Sequence, residues 1–361
     1  MSLFLGGIMA GAREANERRL RRLTEMNRSK AVTAASTALR DAWTAGRSPA
    51  DIVLRTKGFL TPSSAEDRPP LTRLVLPRGI AQRFYLLAIF EAHCRLRVGD
   101  PWVNQRPLSG IGSWSDFVAI DGAYDGRSES YMPDTKQVRT DGHLRLRQVK
   151  AALNTLEELG SDQALVTVPR AKNGGRRRYG EFFLMKETGR GAHQTPDAYT
   201  VPINAWNVET FTVPSDFFLN GWVQILSPSE VATWLILRAH SQWAVDQHAE
   251  SGVYLYGNRR VEGFGLRRDA WEDGCQRLRE FGLIRHARPG SLDDAMGFET
   301  VFDFLAREGR ERYEPYRWQI TDQGLAKDAM ETCMRELALR QQQLNAAAAH
   351  RAQMKNGNPQ Q

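Results

Sequence analysis

Four side chains at positions 145–150 could bind the edges of nucleic-acid bases: Arg145, Arg147, Gln148 and Lys150. Guanidinium, ammonium and amide groups donate hydrogen bonds to base edges and to phosphate oxygens. Five cations follow, with no acidic residue among them: Arg170, Lys172, Arg176, Arg177 and Arg178. Such a cluster attracts a polyanion, because each cation that reaches a phosphate releases a condensed counterion. The chemistry indicated is the binding of nucleic acid.

A helix and a β-hairpin are predicted to position these two groups. Within residues 143–159 the apolar positions fall near one helical face, which predicts an amphipathic helix that ends at Gly160. They are Leu144, Val149, Leu153, Leu156 and Leu159. Residues 164–168 are apolar and mostly β-branched, Gly174 and Gly175 suit a tight turn, and residues 179–185 form an aromatic strand. The cations at 170–178 therefore lie at the tip of a predicted hairpin.

A helix, a strand, a basic turn and a second strand in this order resemble the second half of a winged-helix DNA-binding domain. The resemblance implies that the helix enters the major groove of DNA. It also implies that the turn, called the wing in that family, lies along the DNA backbone or in the minor groove. Upstream, residues 77–97 predict the first helix and residues 113–120 a short second one. The Gly- and Asp-rich insertion at 121–141 departs from the short turn usual in the family.

The same pattern returns in outline in the second half of the chain. Residues 228–247 and 267–281 predict two amphipathic helices, and residues 283–287 and 316–321 predict the strands of a second wing. The cationic counterparts on the second helix are Arg267, Arg268 and Arg277, and its acidic residues are Asp269, Glu272, Asp273 and Glu280. This half is predicted to be a weaker DNA reader or a protein-contact module.

The predicted fold class is mainly α with small β-hairpins (α+β), with two winged helix-turn-helix domains and helical N- and C-terminal extensions. Five segments are predicted. Residues 1–70 form a basic helical extension and linker, 71–186 the first domain, 187–197 a linker, 198–325 the second domain, and 326–361 a C-terminal helix and disordered tail. Within the first segment, residues 48–70 are rich in turn formers and predict a linker or covering segment. The N-terminal helix is predicted as a basic arm on DNA, a docking helix or a solvated surface helix. The C-terminal helix would mediate a homodimer or pack back on the second domain.

No catalytic, cofactor or metal site is predicted. The seven histidines are scattered, and the chain has no GxxxxGK[ST] motif. Cys94, Cys275 and Cys333 are too far apart to suggest a disulfide framework or a zinc site, which favours a reduced, cytoplasmic location. The apolar run at 3–10 is too short to span a bilayer, so no membrane contact is expected.

Two winged helices in one chain resemble the replication initiators of many plasmids, and the resemblance covers about residues 71–327. It implies binding of double-stranded DNA at repeated sites. The excess of 49 basic over 42 acidic residues agrees with that partner, although the clustering of the charges is more informative than the total. A winged-helix transcriptional regulator is one alternative. A protein-binding adaptor without DNA specificity is another, from a different functional class.

Overall fold

A computed structural model describes the protein over most of its length. The described residues are 2–58, 68–75, 79–119, 123–125, 130–132, 141–172, 175–203, 209–255, 257, 259–287 and 317–356. Over these residues the protein is mainly helical with small antiparallel sheets of two strands each, which confirms the predicted α+β class. The division into five segments stays a prediction.

Helices and strands alternate irregularly along the chain. The helices are α1 Ser2–Arg28, α2 Ala31–Ala45, α3 Pro70–Arg73, α4 Ala81–Arg95, α5 Asp141–Glu157, α6 Asp216–Leu219, α7 Trp222–Ile225, α8 Pro228–Trp243, α9 Val245–Ser251, α10 Arg268–Glu280 and α11 Ala329–Asn356. The strands are β1 Asp51–Arg55, β2 Ala123–Asp125, β3 Ser130–Met132, β4 Val166–Thr167, β5 Phe183–Leu184, β6 Thr210–Pro214, β7 Ile284–His286 and β8 Trp318–Ile320. The antiparallel pairs are β1 with β6, β2 with β3, β4 with β5 and β7 with β8.

The first unit, made of α4, α5, β4 and β5, has the predicted helix and hairpin. Val149, Leu153 and Leu156 on α5 are buried, and β4 pairs with β5 in the register Val166 to Leu184. Two irregular segments extend the hairpin: the amide of residue 199 donates to the carbonyl of residue 184, and that of residue 102 to the carbonyl of residue 199. Gly160, at a φ of +129°, ends the helix region before the strand.

The predicted second helix of this unit is wrong, because residues 114–117 form only one 3₁₀ turn. Asp116 closes the turn by accepting a hydrogen bond from the amide of Ser113 at 3.0 Å. Beyond Phe117 the backbone becomes extended at Val118. The next amide, of Ala119, donates to the side chain of Gln224 on α7 instead of continuing the helix.

The second unit, made of α8, α10, β7 and β8, has the same order of elements. Its strands pair in the register Ile284 to Ile320, which confirms the predicted pairing. Val253, between α8 and α10, adds a bridge to Trp318 through two backbone hydrogen bonds of 2.9 Å. Trp271, Cys275 and other residues of α10 are buried toward α8. Residues 288–314, between the two predicted strands, lie outside the described residues, as does most of the predicted insertion at 121–141.

The prediction of a linker or covering segment at 48–70 did not include a strand, but residues 51–55 form β1. Ile52 and Leu54 are buried, and their neighbours in the strand are less so, as the alternating pleat requires. The partner strand β6 pairs with β1 in the register Ile52 to Val213. Local turn signals do not show this strand, because it depends on pairing with a segment that is remote in the sequence.

The terminal helices α1 and α11 pack against each other. The Asn16 amide donates to the Leu337 carbonyl at 2.9 Å and to Gln341 at 2.8 Å. Arg340 of α11 also forms an ion pair with Glu280 of α10. The prediction that the C-terminal helix packs back on the second unit is therefore confirmed. Within the described part of the chain, no helix is both long and apolar enough to cross a membrane.

Candidate nucleic-acid interface

The outward face of α5 carries Arg147, Lys150 and Asn154. Spacings of three, four and seven residues place these side chains along one helical face, opposite the buried Val149. Arg147 is exposed, and no carboxylate among the described residues pairs with it. Lys150 is half-buried, with its ammonium nitrogen 5.7 Å from the centroid of the Tyr179 ring. The helix thus presents a row of hydrogen-bond donors to solvent.

The structure separates the other two predicted readers from this row. Arg145 lies two residues from Arg147 and therefore on nearly the opposite side of the helix. Its guanidinium faces the 3₁₀ turn, with Nη1 3.9 Å from Asp116 Oδ1. Gln148 is half-buried about a quarter turn from Arg147. Of the four predicted residues, Arg147 and Lys150 share the outward face.

The wing, which comprises residues 169–172 and 175–179, has three exposed cations that form no ion pair with a described residue. They are Arg170, Lys172 and Arg176. Hydrogen bonds from the residue 171 amide to the residue 176 carbonyl, 3.1 Å, and from the residue 178 amide to the residue 169 carbonyl, 2.7 Å, close the turn. Three positive charges are therefore held close together at the hairpin tip.

Arg177, the next predicted phosphate contact, points back to α5. Its guanidinium donates to Asn154 Oδ1 and lies 3.2 Å from a Glu157 oxygen and 3.7 Å from a Glu158 oxygen. This brace, formed by Arg177 with those three side chains, ties the wing to the helix. It also offsets part of the negative charge of two carboxylates that would otherwise repel DNA phosphates more strongly. The adjacent Arg178 forms an ion pair with Glu181, so it is less available than Arg176.

The second unit places its cations among acids. Arg268 Nε lies 2.9 Å from Glu272, and Arg267 is exposed at the N-cap of α10. The outward face of this helix also bears Asp269 and Asp273. Because acids are interspersed among its cations, this face is less suited to DNA than the wing.

Buried ion pairs fix the terminal helices to the second unit. Arg19 of α1 makes two hydrogen bonds to Glu230 of α8, one of 2.8 Å, and the side chain of Glu230 is 4% exposed. Burial alone would raise the pKa of Glu230, but the charge and hydrogen bonds of Arg19 and the amide of Ser227 bring that pKa below its ordinary value. Glu280 of α10 similarly holds Arg277, at 2.9 Å, together with Arg340 of α11. The part of α10 that bears Glu280 is therefore in contact with α11.

Asn154 and Tyr179 belong to this candidate interface, and the site predicted from the sequence did not include them. The Tyr179 hydroxyl donates to Asn154 Oδ1 at 3.0 Å. The signal for Asn154 is its position seven residues after Arg147, which gives the same helical face. The signal for Tyr179 is weaker, because its contact with α5 depends on how the hairpin folds back.

The chemistry available at this interface is donation of hydrogen bonds and positive charge. Among the described residues, no group of three or more His, Cys, Asp or Glu side chains could hold a metal ion. The cysteines 94, 275 and 333 are buried and unpaired. Comparisons of the chain with protein-family models, with curated proteins and with solved structures find no match.

Proposed function

We propose that this protein binds double-stranded DNA with α5 and the wing of its first unit. In the proposal, Arg147 reaches base edges in the major groove with Lys150 beside it, and Arg170, Lys172 and Arg176 contact phosphates. The observation that carries the proposal is that four of these cations are exposed, without a carboxylate partner in the described part of the chain, on two elements that meet at Asn154. Unpaired cations can exchange their counterions for phosphates, and paired ones must first give up an internal partner.

The brace supports the proposal because it fixes the wing relative to the helix. A DNA reader gains affinity when its contact groups are ordered before binding, since less conformational entropy is then lost. Arg177 orders the wing through its contact with Asn154, and Lys150 and Tyr179 pack beside it. The helix and the hairpin tip would therefore meet the duplex as one surface.

We assign the second unit a supporting role. Its strand order, with Val253 beside β8 and β8 beside β7, supports a winged helix in this half as well. Two such units are the basis of the resemblance to plasmid replication initiators, so we extend the proposal to an initiator that binds repeated sites. The acids interspersed among the cations of α10 favour an unequal pair, in which the first unit supplies most of the contact with DNA.

The test compares two triple variants that remove the same charge. Arg170→Ala/Lys172→Ala/Arg176→Ala should weaken binding to every duplex and reduce the slope of log affinity against log salt by about 3, at roughly 0.9 per phosphate contact. Arg267→Ala/Arg268→Ala/Arg279→Ala removes two exposed arginines of the second unit and the half-buried Arg279 of α10. It is the matched control and should change the slope by less than about 1. The measurement is fluorescence anisotropy with a labelled duplex over a series of salt concentrations.

Other outcomes would redirect the proposal. Equal losses in both triple variants would show that the two units share the DNA contact. No loss in the wing variant would exclude the wing as the phosphate-binding surface. Sequencing genomic fragments that the purified protein recovers at two salt concentrations tests the role. Direct repeats beside an origin support initiation, a single operator supports a regulator, and no enrichment supports the adaptor.

A further inference from the structure

Asn154 is the residue at which α5 and the wing meet, and its amide is held by two donors. Arg177 Nη1 and the Tyr179 hydroxyl both donate to Asn154 Oδ1, the latter at 3.0 Å. Arg177 is itself held by Glu157, at 3.2 Å. Three side chains from the helix and the hairpin thus determine how this amide is oriented.

The chemistry of Arg177 fixes which end of the amide faces the wing. A guanidinium has five N–H donors and no acceptor, so the Asn154 atom beside it must be the carbonyl oxygen. The reverse orientation would bring two donors together and leave the Arg177 hydrogen bond unmade. The brace therefore removes the usual ambiguity between the oxygen and nitrogen of an asparagine amide.

The nitrogen of the same amide remains available. No described residue accepts a hydrogen bond from Asn154 Nδ2, and the side chain lies on the outward face with Arg147. Because Oδ1 already accepts two hydrogen bonds, it has no free lone pair to offer a ligand. Toward a bound molecule, Asn154 is a hydrogen-bond donor only.

We propose that Asn154 is a specificity-determining residue that donates from Nδ2 to an acceptor on a base edge in the major groove. This inference rests on the proposed DNA-binding function. An unrestrained asparagine reads adenine in a bidentate manner, by accepting from N6 and donating to N7. The brace excludes that mode in this protein. A donor-only amide favours guanine, which offers two acceptors at N7 and O6, and disfavours cytosine, which presents the N4 donor.

The experiment selects binding sites from random duplexes with wild-type protein, Asn154→Asp and Asn154→Ala. Aspartate keeps the oxygen acceptor that Arg177 and Tyr179 need, so the brace is preserved. Its second carboxylate oxygen is an acceptor in place of the Nδ2 donor. At one position of the selected site, we expect the base preference to change from guanine to cytosine, a reversal on the order of tenfold. The added negative charge should also lower the affinity for all duplexes equally. Asn154→Ala should lose the preference at that position and keep the preferences elsewhere.

The outcomes separate this inference from the proposal on which it rests. Unchanged base preferences in both variants, with affinity lowered equally for all sequences, would show that Asn154 is only structural or contacts phosphate, and would overturn the inference alone. If wild-type protein selects no duplex sequence, specific DNA reading fails and the inference fails with it. Thermal unfolding of each variant establishes that a loss of preference is measured on folded protein.

Discussion

The two units of the protein share an order of elements but use their charged side chains in opposite ways. On α5 of the first unit, Arg147 faces solvent without an acidic partner among the described residues, and the wing adds three more such cations. On α10 of the second unit, Arg277 is held by Glu280, and Glu280 also holds Arg340 of the terminal helix α11. The first unit thus exposes positive charge, whereas the second pairs its acidic residues with arginines of its own and of the terminal helices.

The comparison shows why the number of basic residues is a poor guide to a DNA-binding surface. Both helices contain several arginines, but the field that a phosphate would meet depends on which of them are neutralised nearby. Arg177 of the first unit illustrates the point, because it belongs to the basic cluster at 170–178 but forms ion pairs with Glu157 and Glu158. Its neighbour Arg176 is exposed and has no carboxylate partner in the part of the chain that the structure describes. Pairing, not composition, distinguishes the two roles.

The largest expected effect concerns how the second unit holds α1. Glu230→Gln should lower the free energy of unfolding by about 3–5 kcal/mol, because it leaves the Arg19 guanidinium largely buried without its counter-ion. Glu17→Gln on α1, the helix of Arg19, is the control. Glu17 pairs with Arg21 at 3.6 Å, but both side chains are more than half exposed. The control should cost less than about 1 kcal/mol. Urea unfolding followed by tryptophan fluorescence measures both, and similar losses would contradict the assigned importance of the buried pair.

The next-largest expected effect is a loss of stability at low pH, which should begin at a different pH in each of the two units. His93 on α4 is buried with its Nε2 3.1 Å from both the Val53 carbonyl and the Tyr199 hydroxyl, and burial lowers its pKa from 6.5 to about 4. Between these two values the unfolded chain binds the proton more readily, so stability falls as the pH falls. The loss should reach about 3 kcal/mol near pH 4. Glu230 of the second unit, whose pKa is lowered, should contribute its own loss only below the ordinary range of a carboxyl group.

His93→Gln separates the two contributions. Glutamine keeps a hydrogen-bonding side chain and does not titrate, so the loss of stability between pH 6.5 and 4 should shrink relative to that of the wild-type protein, and the loss at lower pH should remain. Urea unfolding at a series of pH values provides the comparison. Parallel curves for the two proteins would show that His93 is not the group responsible.

Local patterns were sufficient to predict several elements but not β1 or the 3₁₀ turn at 114–117, and side-chain pairing across the fold was not predictable from them. Helix α5 follows from apolar residues at helical spacing, and β7 and β8 from runs of strand-forming residues. The inward position of Arg145 was implicit in the same helical geometry, since two residues turn the helix by about 200°. In contrast, Arg19 and Glu230 are 211 residues apart in the sequence. No periodicity within a window of the chain indicates that they meet, and the pairing of β1 with β6 was missed for the same reason.

The smallest expected effect compares two neighbouring arginines of the wing. Arg177→Ala should cost about 1–2 kcal/mol of stability, because it breaks a hydrogen bond to Asn154 and two ion pairs at a site where its own side chain is 20% exposed. Arg176→Ala should cost less than about 0.5 kcal/mol, as expected for an exposed side chain without partners among the described residues.

DNA affinity should respond differently from stability. Both substitutions should weaken binding to duplex DNA: Arg176→Ala removes one phosphate contact, and Arg177→Ala exposes Glu157 and Glu158 to the phosphates. Arg177→Lys restores the charge but not the planar fork that reaches both Asn154 and Glu157, so it should recover affinity more than stability. Thermal unfolding and anisotropy on the same samples measure the two quantities. If Arg176→Ala destabilised the protein more than Arg177→Ala, the roles assigned to the two arginines would be reversed. The distinction between free and paired cations would then fail in the first unit.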